Sequence, residues 1–239
     1  MTSEIWNPWH GCKKYSEGCA HCYVYRRDES IGLDASDVHK TKSFTLPVER
    51  NRAGDYKIPS GSHIYACMTS DFFIDEADEW RGEAWDIIRE RKDVSFTIIT
   101  KRIMRFSECL PEDWGDGWEN VTVCCTCENQ SRFDERFPVL CDLPIKHKRI
   151  ICEPMLGEID TRGLLRHSQI EQIVCGGESG NNARPCRWEW ILSMHDQCLE
   201  ANVRFYFKQT GAVFVKNGRT YHIPRRLQHE QAKKANINL

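Results

Sequence analysis

Six short apolar runs recur along the chain from about residue 60 onward, and they constrain its fold more than any other feature. Their starts are separated by roughly 23 to 32 residues, which is the size of a strand followed by a helix. Nearly every residue in each run is apolar, which is typical of strands buried on both faces of a parallel sheet. The runs are 63–68, 95–100, 121–125, 149–152, 172–175 and 204–207.

The stretches between these runs show helical periodicity. Trp80, Ala84, Ile87 and Ile88 share one helical face, and Trp188, Ile191, Met194, Cys198 and Leu199 share another. Six strands plus one near the N-terminus fall short of eight, and a closed eight-stranded barrel usually needs about 250 residues. We therefore predict an α/β fold with a partial TIM-type barrel of mostly parallel strands. A doubly wound open sheet is the competing architecture.

Composition narrows the class of protein. The chain has 239 residues, 40% of them apolar, with a formal net charge of −2, which is typical of a globular protein. No apolar stretch approaches the roughly 18 residues of a spanning helix, and the first residues do not resemble a signal peptide. These features predict a cytoplasmic protein without a membrane partner. With no linker-like segment visible, we predict one barrel domain over residues 1–213 and a basic C-terminal tail over 214–239.

Polar residues directly follow each predicted strand. In a barrel, the residues at the carboxyl ends of the strands build the active site. We therefore expect a site at this end of the sheet, although strands also end in ordinary polar loops. The residues are Ser70 and Asp71, Lys101 and Arg102, Glu128 and Asn129, Glu153, Gly176 to Ser179, and Lys208 and Gln209.

Thirteen cysteines are unusual for a protein expected in a reducing compartment, where thiols are mostly buried, bound to metal or redox-active. Three of them, Cys12, Cys19 and Cys22, have the spacing C-x6-C-x2-C, with Gly11 and Gly18 directly before two of them. Three thiolates bind zinc if His10 or His21 adds a fourth ligand. They also suit an iron–sulfur cluster with one iron left open to another ligand. The spacing alone leaves both possibilities open. Buried thiols without a metal are a third interpretation, although this polar, glycine-containing stretch is a poor core segment.

A three-cysteine loop in a partial barrel, with an aromatic residue after the last cysteine, resembles the radical S-adenosylmethionine superfamily. The usual spacing there is C-x3-C-x2-C, so the first gap is longer here. A wider set of segments, spanning about residues 5 to 213, resembles the phage-associated three-Cys-motif family, a domain of unknown function. The segments are Trp6-Asn7-Pro8, Gly11-Cys12, Gly18-Cys19, Cys22-Tyr23, Asp71-Phe72-Phe73, Thr100-Lys101-Arg102, Gly176-Gly177-Glu178-Ser179-Gly180, Ala183-Arg184-Pro185 and Phe207-Lys208-Gln209-Thr210-Gly211.

The resemblance implies a 4Fe–4S cluster on Cys12, Cys19 and Cys22, with S-adenosylmethionine as second cofactor and an external electron donor. It also implies a location in the host cytoplasm if the gene is carried by a phage. Tyr23 then contacts adenine, Glu128 and Asn129 take ribose hydroxyls, and either Ser70 and Asp71 or the Gly176-Gly177-Glu178-Ser179 segment binds the ammonium group. Arg184 completes the cofactor-binding set. The expected catalytic side chains are Lys101, Arg102, Glu153 and Lys208.

The basic residues of this set favour an anionic substrate. A nucleotide or nucleic acid fits that description, and the basic stretch from Lys216 to Lys234 would then contact phosphates. Two alternatives stay open for these residues. In the first, each basic strand-end residue forms a salt bridge with an acid such as Asp71 or Glu153. In the second, the basic C-terminal stretch is simply a solvated tail.

The other cysteines are expected to pack as small hydrophobic residues. The exceptions are Cys124, Cys125 and Cys127, which allow a second cluster or a thiol hydrogen donor, and Cys186, which lies near the presumed site. The competing function is a zinc-stabilised protein that binds nucleic acid or a partner protein without catalysis. A barrel of this kind that uses its cluster for non-radical chemistry is a third possibility.

Overall fold

The computed structural model describes residues 3–239 and has an α/β architecture. Met1 and Thr2, where the predicted barrel domain begins, lie outside the described residues. The strands are β1 (Ser3–Trp6), β2 (Trp9–His10), β3 (His39–Lys40), β4 (His63–Ala66), β5 (Ser95–Thr100), β6 (Val121–Thr126), β7 (His147–Cys152), β8 (Ile170–Gly176), β9 (Cys186–Arg187), β10 (Arg204–Gln209), β11 (Val213–Lys216) and β12 (Arg219–His222). The helices are α1 (Tyr23–Ser30), α2 (Asp78–Glu90), α3 (Gln130–Asp142), α4 (Trp188–Ala201) and α5 (Arg225–Lys234).

Seven strands form the main sheet, in the order β1-β4-β5-β6-β7-β8-β10. The pairs β1–β4, β4–β5, β7–β8 and β8–β10 are parallel. Each later strand joins the same growing side of the sheet, which is the winding of a half-barrel; a doubly wound sheet reverses its order at a switch point. The six predicted apolar runs correspond to β4, β5, β6, β7, β8 and β10, and β1 is the seventh strand. The α/β class and the partial barrel are therefore confirmed.

The chain divides into two compact units. Within the described residues, the first comprises 3–14, Val24–Cys124 and Leu143–His147, and the second comprises Tyr15–Tyr23, Cys125–Asp142 and Lys148–Leu239. Strand β6 contributes its first four residues to the first unit and its last two to the second. The boundary at residue 213 between a barrel and a tail stays a prediction.

Aromatic side chains dominate the core of the first unit. Trp85 on α2 lies 4.8 Å from Phe72 and 5.3 Å from Trp114, measured between ring centroids. Helix α2 buries Ala84, Trp85, Ile87 and Ile88, whereas the predicted face member Trp80 is half-buried. Large aromatic rings in contact bury much apolar area and add their own pairwise attraction, so this cluster fixes α2 against the sheet.

The second unit includes the C-terminal segment. Helix α4 buries Ile191, Met194 and Cys198, while the predicted face member Leu199 is exposed. Residues 213–239 form β11, β12 and α5, and hydrogen bonds tie this segment to β10, including one between His229 Nδ1 and the Lys208 carbonyl at 2.9 Å. The Leu239 amide donates to the Phe205 carbonyl at 3.0 Å, and the Phe207 amide donates to Asn238 Oδ1 at 2.7 Å.

None of the helices in residues 3–239 combines the length and the apolar character that crossing a membrane requires.

Candidate functional site

In the first unit, Asp71 follows β4, and its carboxylate accepts hydrogen bonds from other residues of the protein. Oδ1 accepts a hydrogen bond from Thr100 Oγ1 at 2.7 Å, and Oδ2 accepts one from the Lys101 amide at 2.9 Å. The side chain of Asp71 is buried. Asp71 therefore joins the end of β4 to the end of β5. The expected cofactor ammonium would have to share a carboxylate that already has several donors.

The segment that carries Cys12 is fixed by its backbone. The Cys12 amide donates to the Ala35 carbonyl at 2.8 Å, and the Tyr25 hydroxyl donates to the Cys12 carbonyl at 2.5 Å. Gly11 has φ +88°, and a Cβ there would lie 2.1 Å from the Asp37 carbonyl oxygen, so the close approach requires glycine. The Ser70 hydroxyl donates to the Gly11 carbonyl at 2.5 Å, so this predicted cofactor ligand is bonded to the residue directly before Cys12.

The predicted catalytic residue Arg102 also contacts this segment. Its Nη2 donates to the Lys13 carbonyl at 2.9 Å, and its side chain is buried. Lys101 beside it is half-buried and donates its amide to Asp71. Arg102 therefore stabilises the backbone next to Cys12, a role that its sequence position did not reveal.

His10, one of the two candidate zinc ligands, has a carboxylate partner. Its Nε2 lies 2.7 Å from Asp28 Oδ2, and its Nδ1 lies 3.4 Å from Arg27 Nη2. Burial disfavours ionisation of Asp28, but hydrogen bonds from His10 and Arg27 outweigh burial and lower the pKa of its carboxyl group. Both ring nitrogens of His10 are thus engaged, and one of them faces a guanidinium group that would repel a metal cation.

In the second unit, Cys19 and Cys22 lie on a short turn. Residues Glu17–Cys19 form one turn of 3-10 helix, and the Cys22 amide donates to the Cys19 carbonyl at 3.3 Å. Helix α1 begins directly afterwards at Tyr23, whose ring is 43% exposed. We call residues Tyr15–Tyr23 the cysteine loop. Its two thiols are half-buried, so reagents and metal ions reach them from solvent.

Glu128, which follows β6, contacts the cysteine loop through its carboxylate. It is fully buried, accepts a hydrogen bond from the Ser16 hydroxyl and pairs with Arg136 Nη1 at 2.9 Å. A Cβ at Gly18 would lie 2.6 Å from Glu128 Oε1. A buried carboxylate needs such partners, because an unpaired charge in the interior costs several kcal/mol. Glu128 therefore holds the loop, and its contact with ribose stays a prediction.

Glu17 lies on the loop itself and has partners on α3 and beyond. Its carboxylate accepts hydrogen bonds from the Asn129 amide group and from Arg132 Nε, the latter at 3.1 Å. Burial opposes ionisation of Glu17, but its own backbone amide, Asn129 and Arg132 together lower the pKa of the carboxyl group. The Glu17 carbonyl also accepts a hydrogen bond from Arg184 Nη1 at 2.9 Å.

Glu178 and Arg184, both predicted to bind the cofactor, form a bidentate ion pair. Arg184 Nη2 lies 2.7 Å from Glu178 Oε1, and Arg184 Nε lies 3.0 Å from Oε2. His21 Nδ1 lies 3.1 Å from Oε2 of the same carboxylate. Burial raises the pKa of Glu178, but Arg184 and His21 outweigh it, so the pKa lies below its ordinary value. This pair stabilises the His21 side of the cysteine loop.

Glu153 and Lys208 form a second ion pair at the ends of β7 and β10. Lys208 Nζ lies 2.8 Å from Glu153 Oε2, so the salt bridge expected as the alternative for Lys208 is observed. Among residues 3–239 no donor reaches the other oxygen, Oε1, which is buried against Gly176; a Cβ there would lie 2.4 Å from it. Gly177 is equally constrained, because a Cβ there would lie 2.2 Å from the Thr210 carbonyl oxygen. Close packing therefore explains both glycines, whereas Ser179 is half-buried beside them.

Most other cysteines are buried, and none of the thirteen forms a disulfide in the part of the chain described. Burial raises the pKa of Cys186 and of Cys198 to about 12. Contact with Cys127, together with burial, raises the pKa of Cys125. Across residues 3–239, no three or more His, Cys, Asp or Glu side chains are grouped so that they could hold a metal ion, and this includes Cys124, Cys125 and Cys127.

Sequence reasoning missed four residues that hold the cysteine loop: Ser16, Glu17, Arg132 and Arg136. One signal was available for the two arginines. Asn129, Arg132 and Arg136 are spaced by three and four residues, which puts them on one side of α3 next to the strand-end Glu128.

Fold and site together define an α/β half-barrel protein in which polar residues at the strand ends hold a cysteine-bearing loop. The chain belongs to the family described as "Protein of unknown function (DUF5131)", whose model matches residues 1–238. No curated protein and no solved structure matches the chain.

Proposed function

We propose that the protein is a radical-S-adenosylmethionine-type iron–sulfur enzyme in which Cys12, Cys19 and Cys22 bind the cluster. The observation that carries the proposal is the way the cysteine loop is held. The loop is bonded to two buried carboxylates that follow sheet strands, to Glu128 through Ser16 before Cys19 and to Glu178 through His21 before Cys22. A loop supported by so many charge-assisted hydrogen bonds is suited to present thiolates in a defined place.

The donor set fits the cluster by its chemistry. Iron–sulfur clusters require thiolates that can be reached, and Cys12, Cys19 and Cys22 are half-buried, whereas nine of the other ten cysteines are buried. When bound, the cluster would supply the electron that cleaves S-adenosylmethionine to methionine and a 5′-deoxyadenosyl radical.

The protein's own residues then hold the cysteine loop and the segment before Cys12 in position. Glu128 with Arg136, and Glu178 with Arg184, fix the loop backbone, while Arg102 and Ser70 fix the segment before Cys12. We assign exposed Tyr23 and half-buried Ser179 to contacts with the nucleoside.

Glu153 and Lys208 are the pair we assign to the substrate. The Lys208 side chain is 41% exposed, so its ammonium group can bind an anionic substrate while Glu153 holds it in place. Glu153 holds this ammonium group through Oε2, whereas its Oε1 is buried against Gly176. The proposal also requires an external electron donor and a reducing cytoplasm, which is the host's if the gene is carried by a phage.

The test uses protein purified and reconstituted without oxygen, reduced with dithionite and supplied with S-adenosylmethionine. Formation of 5′-deoxyadenosine, measured by liquid chromatography and mass spectrometry, supports the proposal. The single variants Cys12→Ser, Cys19→Ser and Cys22→Ser should abolish it, and Cys141→Ser, which changes a half-buried cysteine elsewhere, should not. Reconstituted wild-type protein that contains iron but forms no product would overturn the assignment.

One observation favours a second function, a zinc-stabilised binding protein. Glu178 contacts His21 at Nδ1 and so leaves Nε2 for a metal, which is the usual arrangement of a zinc-bound histidine with a carboxylate behind it. Zinc on three thiolates and His21 would stabilise the loop without catalysis.

A further inference from the structure

The C-terminal segment carries a charge opposite to that of the chain as a whole. Residues 213–239 contain six Lys or Arg and one Glu, a net charge of +5, whereas the whole chain has a formal net charge of −2. The single acid, Glu230, pairs with Lys234 at 2.6 Å. We define the C-terminal basic surface as Lys216, Arg219, Tyr221, Arg225 and Arg226, all of which are exposed.

Two of these cations face each other at the tip of a hairpin. Strands β11 and β12 are antiparallel with Lys216 opposite Arg219, and the two-residue turn between them is Asn217-Gly218 with positive φ at both positions. Like charges directly opposite each other on neighbouring strands destabilise a sheet. Among the described residues, no carboxylate lies within salt-bridge distance of either side chain. Lys216 Nζ lies 4.5 Å from the centroid of the Trp188 ring, a cation–π contact that leaves its charge in place. The hairpin therefore carries two cations that no described carboxylate neutralises.

Packing does not account for this strand. All four residues of β12 are exposed, and β12 is the edge of the three-stranded sheet β12-β11-β9. Side chains two apart on a strand share a face, so Tyr221 lies on the same face as Arg219 and its partner Lys216. An aromatic ring, 45% exposed, is thus presented beside two cations.

The start of α5 adds to the positive potential. Arg225 and Arg226 are its first two residues, and its first turn has no acidic residue. Cations at a helix N-terminus are unfavourable, because they face the positive end of the helix dipole. A ligand with repeated negative charges would offset both this cost and that of the hairpin pair.

We propose that the C-terminal basic surface binds single-stranded nucleic acid, with phosphates on Lys216, Arg219, Arg225 and Arg226 and a base stacked on Tyr221. Cations that follow the backbone beside an exposed aromatic ring are the features that bind single strands without sequence preference. This inference rests on the surface itself, and it holds or fails independently of the proposed cluster chemistry.

The test measures fluorescence anisotropy of a labelled 20-nucleotide oligo(dT), with a labelled duplex of the same length for comparison, over a range of salt concentrations. The full chain should bind oligo(dT), and the log–log salt slope should fall by up to about 3 in the fourfold variant Lys216→Gln, Arg219→Gln, Arg225→Gln and Arg226→Gln. Tyr221→Ala should weaken binding about tenfold, and Tyr221→Phe should keep it, because stacking needs only the ring.

The control makes the same change in charge elsewhere, through Arg52→Gln, Lys92→Gln, Arg162→Gln and Arg166→Gln, all exposed positions outside the surface. It should bind oligo(dT) nearly as well as the unchanged protein. Failure to bind oligo(dT), equal losses in the control, or a neutral Tyr221→Ala with equal affinity for duplex would each overturn the proposal. Preferential binding to phosphatidylserine vesicles, without binding to oligo(dT), would overturn it in favour of a lipid surface.

Discussion

Glu128 occupies the space that a side chain at Gly18 would need. A Cβ built on Gly18 falls 2.6 Å from Glu128 Oε1 and 3.0 Å from its Cδ. Glu128 cannot swing away cheaply, because it is fully buried and bonded to Arg136 and Ser16. The glycine before Cys19 is therefore required by a strand-end carboxylate, which links the sheet directly to the cysteine loop.

Gly18→Ala is expected to displace the loop or Glu128 and to lower the free energy of unfolding by about 1–3 kcal/mol, as other overpacked substitutions do. The matched control is Gly82→Ala on α2, where no atom lies within 4 Å of the added Cβ and alanine is the better helix former. Thermal unfolding of both variants checks this. Equal stability of the two would show that Glu128 does not support the loop.

Arg184→Gln should destabilise the protein by about 2–4 kcal/mol, because it leaves the buried Glu178 carboxylate without its bidentate partner. It also removes the bond to the Glu17 carbonyl, so iron retention should fall as well. Urea unfolding measures the first effect. Arg166→Gln, which removes an exposed ion pair with Glu200, is the control and should change stability by less than about 1 kcal/mol. A loss in Arg184→Gln no larger than in the control would contradict this role.

Alkylation should separate the cysteines by exposure. Brief treatment of the metal-free native protein with iodoacetamide near neutral pH should label the half-buried Cys12, Cys19 and Cys22 before the buried cysteines. Cys141 is also half-buried, but burial raises the pKa of its thiol, so it should react more slowly than these three. Cys186 and Cys198 should stay unlabelled, because burial both shields them and raises their pKa to about 12. Peptide mass spectrometry gives the order of labelling, and unfolding in urea should make all sites react. Early labelling of Cys186 or Cys198 would be inconsistent with the structure.

Asp93 should contribute stability that disappears in acid. Bonds from the buried guanidinium of Arg91, together with one from Ser60, outweigh burial and lower the pKa of Asp93 to about 2. A carboxyl group whose pKa is lower in the folded than in the unfolded state stabilises the folded protein at any pH above its unfolded-state pKa. That stabilisation is lost as the pH falls through the folded-state pKa. Asp93→Asn should therefore be less stable by about 1 kcal/mol at pH 6, a figure reduced for its one-third exposure, with the difference shrinking towards pH 2. A difference that is constant with pH would argue against the ion pair.

The strand pattern could be predicted from the sequence because burial on both faces forces nearly continuous apolar runs. The same runs located the polar strand ends, including Asp71, Glu128 and Glu178. What the sequence could not indicate was the partner of each side chain. Glu178 pairs with Arg184 only six residues away, but Glu128 meets Ser16 across 112 positions, and no local pattern specifies such a contact.

The structure of the C-terminal segment was not predicted from the sequence, for a different reason. Its basic composition predicted a tail, yet β11 and β12 form a hairpin, and α5 buries Gln228 and Ala232 in the second unit. The Asn217-Gly218 pair is a strong hairpin signal between two apolar or aromatic stretches. The prediction of a tail relied on the positive charge of the segment instead of this turn signal. Net charge indicates solubility and binding partners but does not indicate the backbone fold.

Metal content of the protein purified without oxygen tests the central claim most directly. Quantification of iron, sulfide and zinc per chain should give about four irons and about four sulfides, as expected for a 4Fe–4S cluster, and the values should collapse when Cys12, Cys19 and Cys22 are replaced together by serine. One zinc per chain without iron or sulfide, lost in the same triple variant, would contradict the iron–sulfur assignment and establish the zinc site instead.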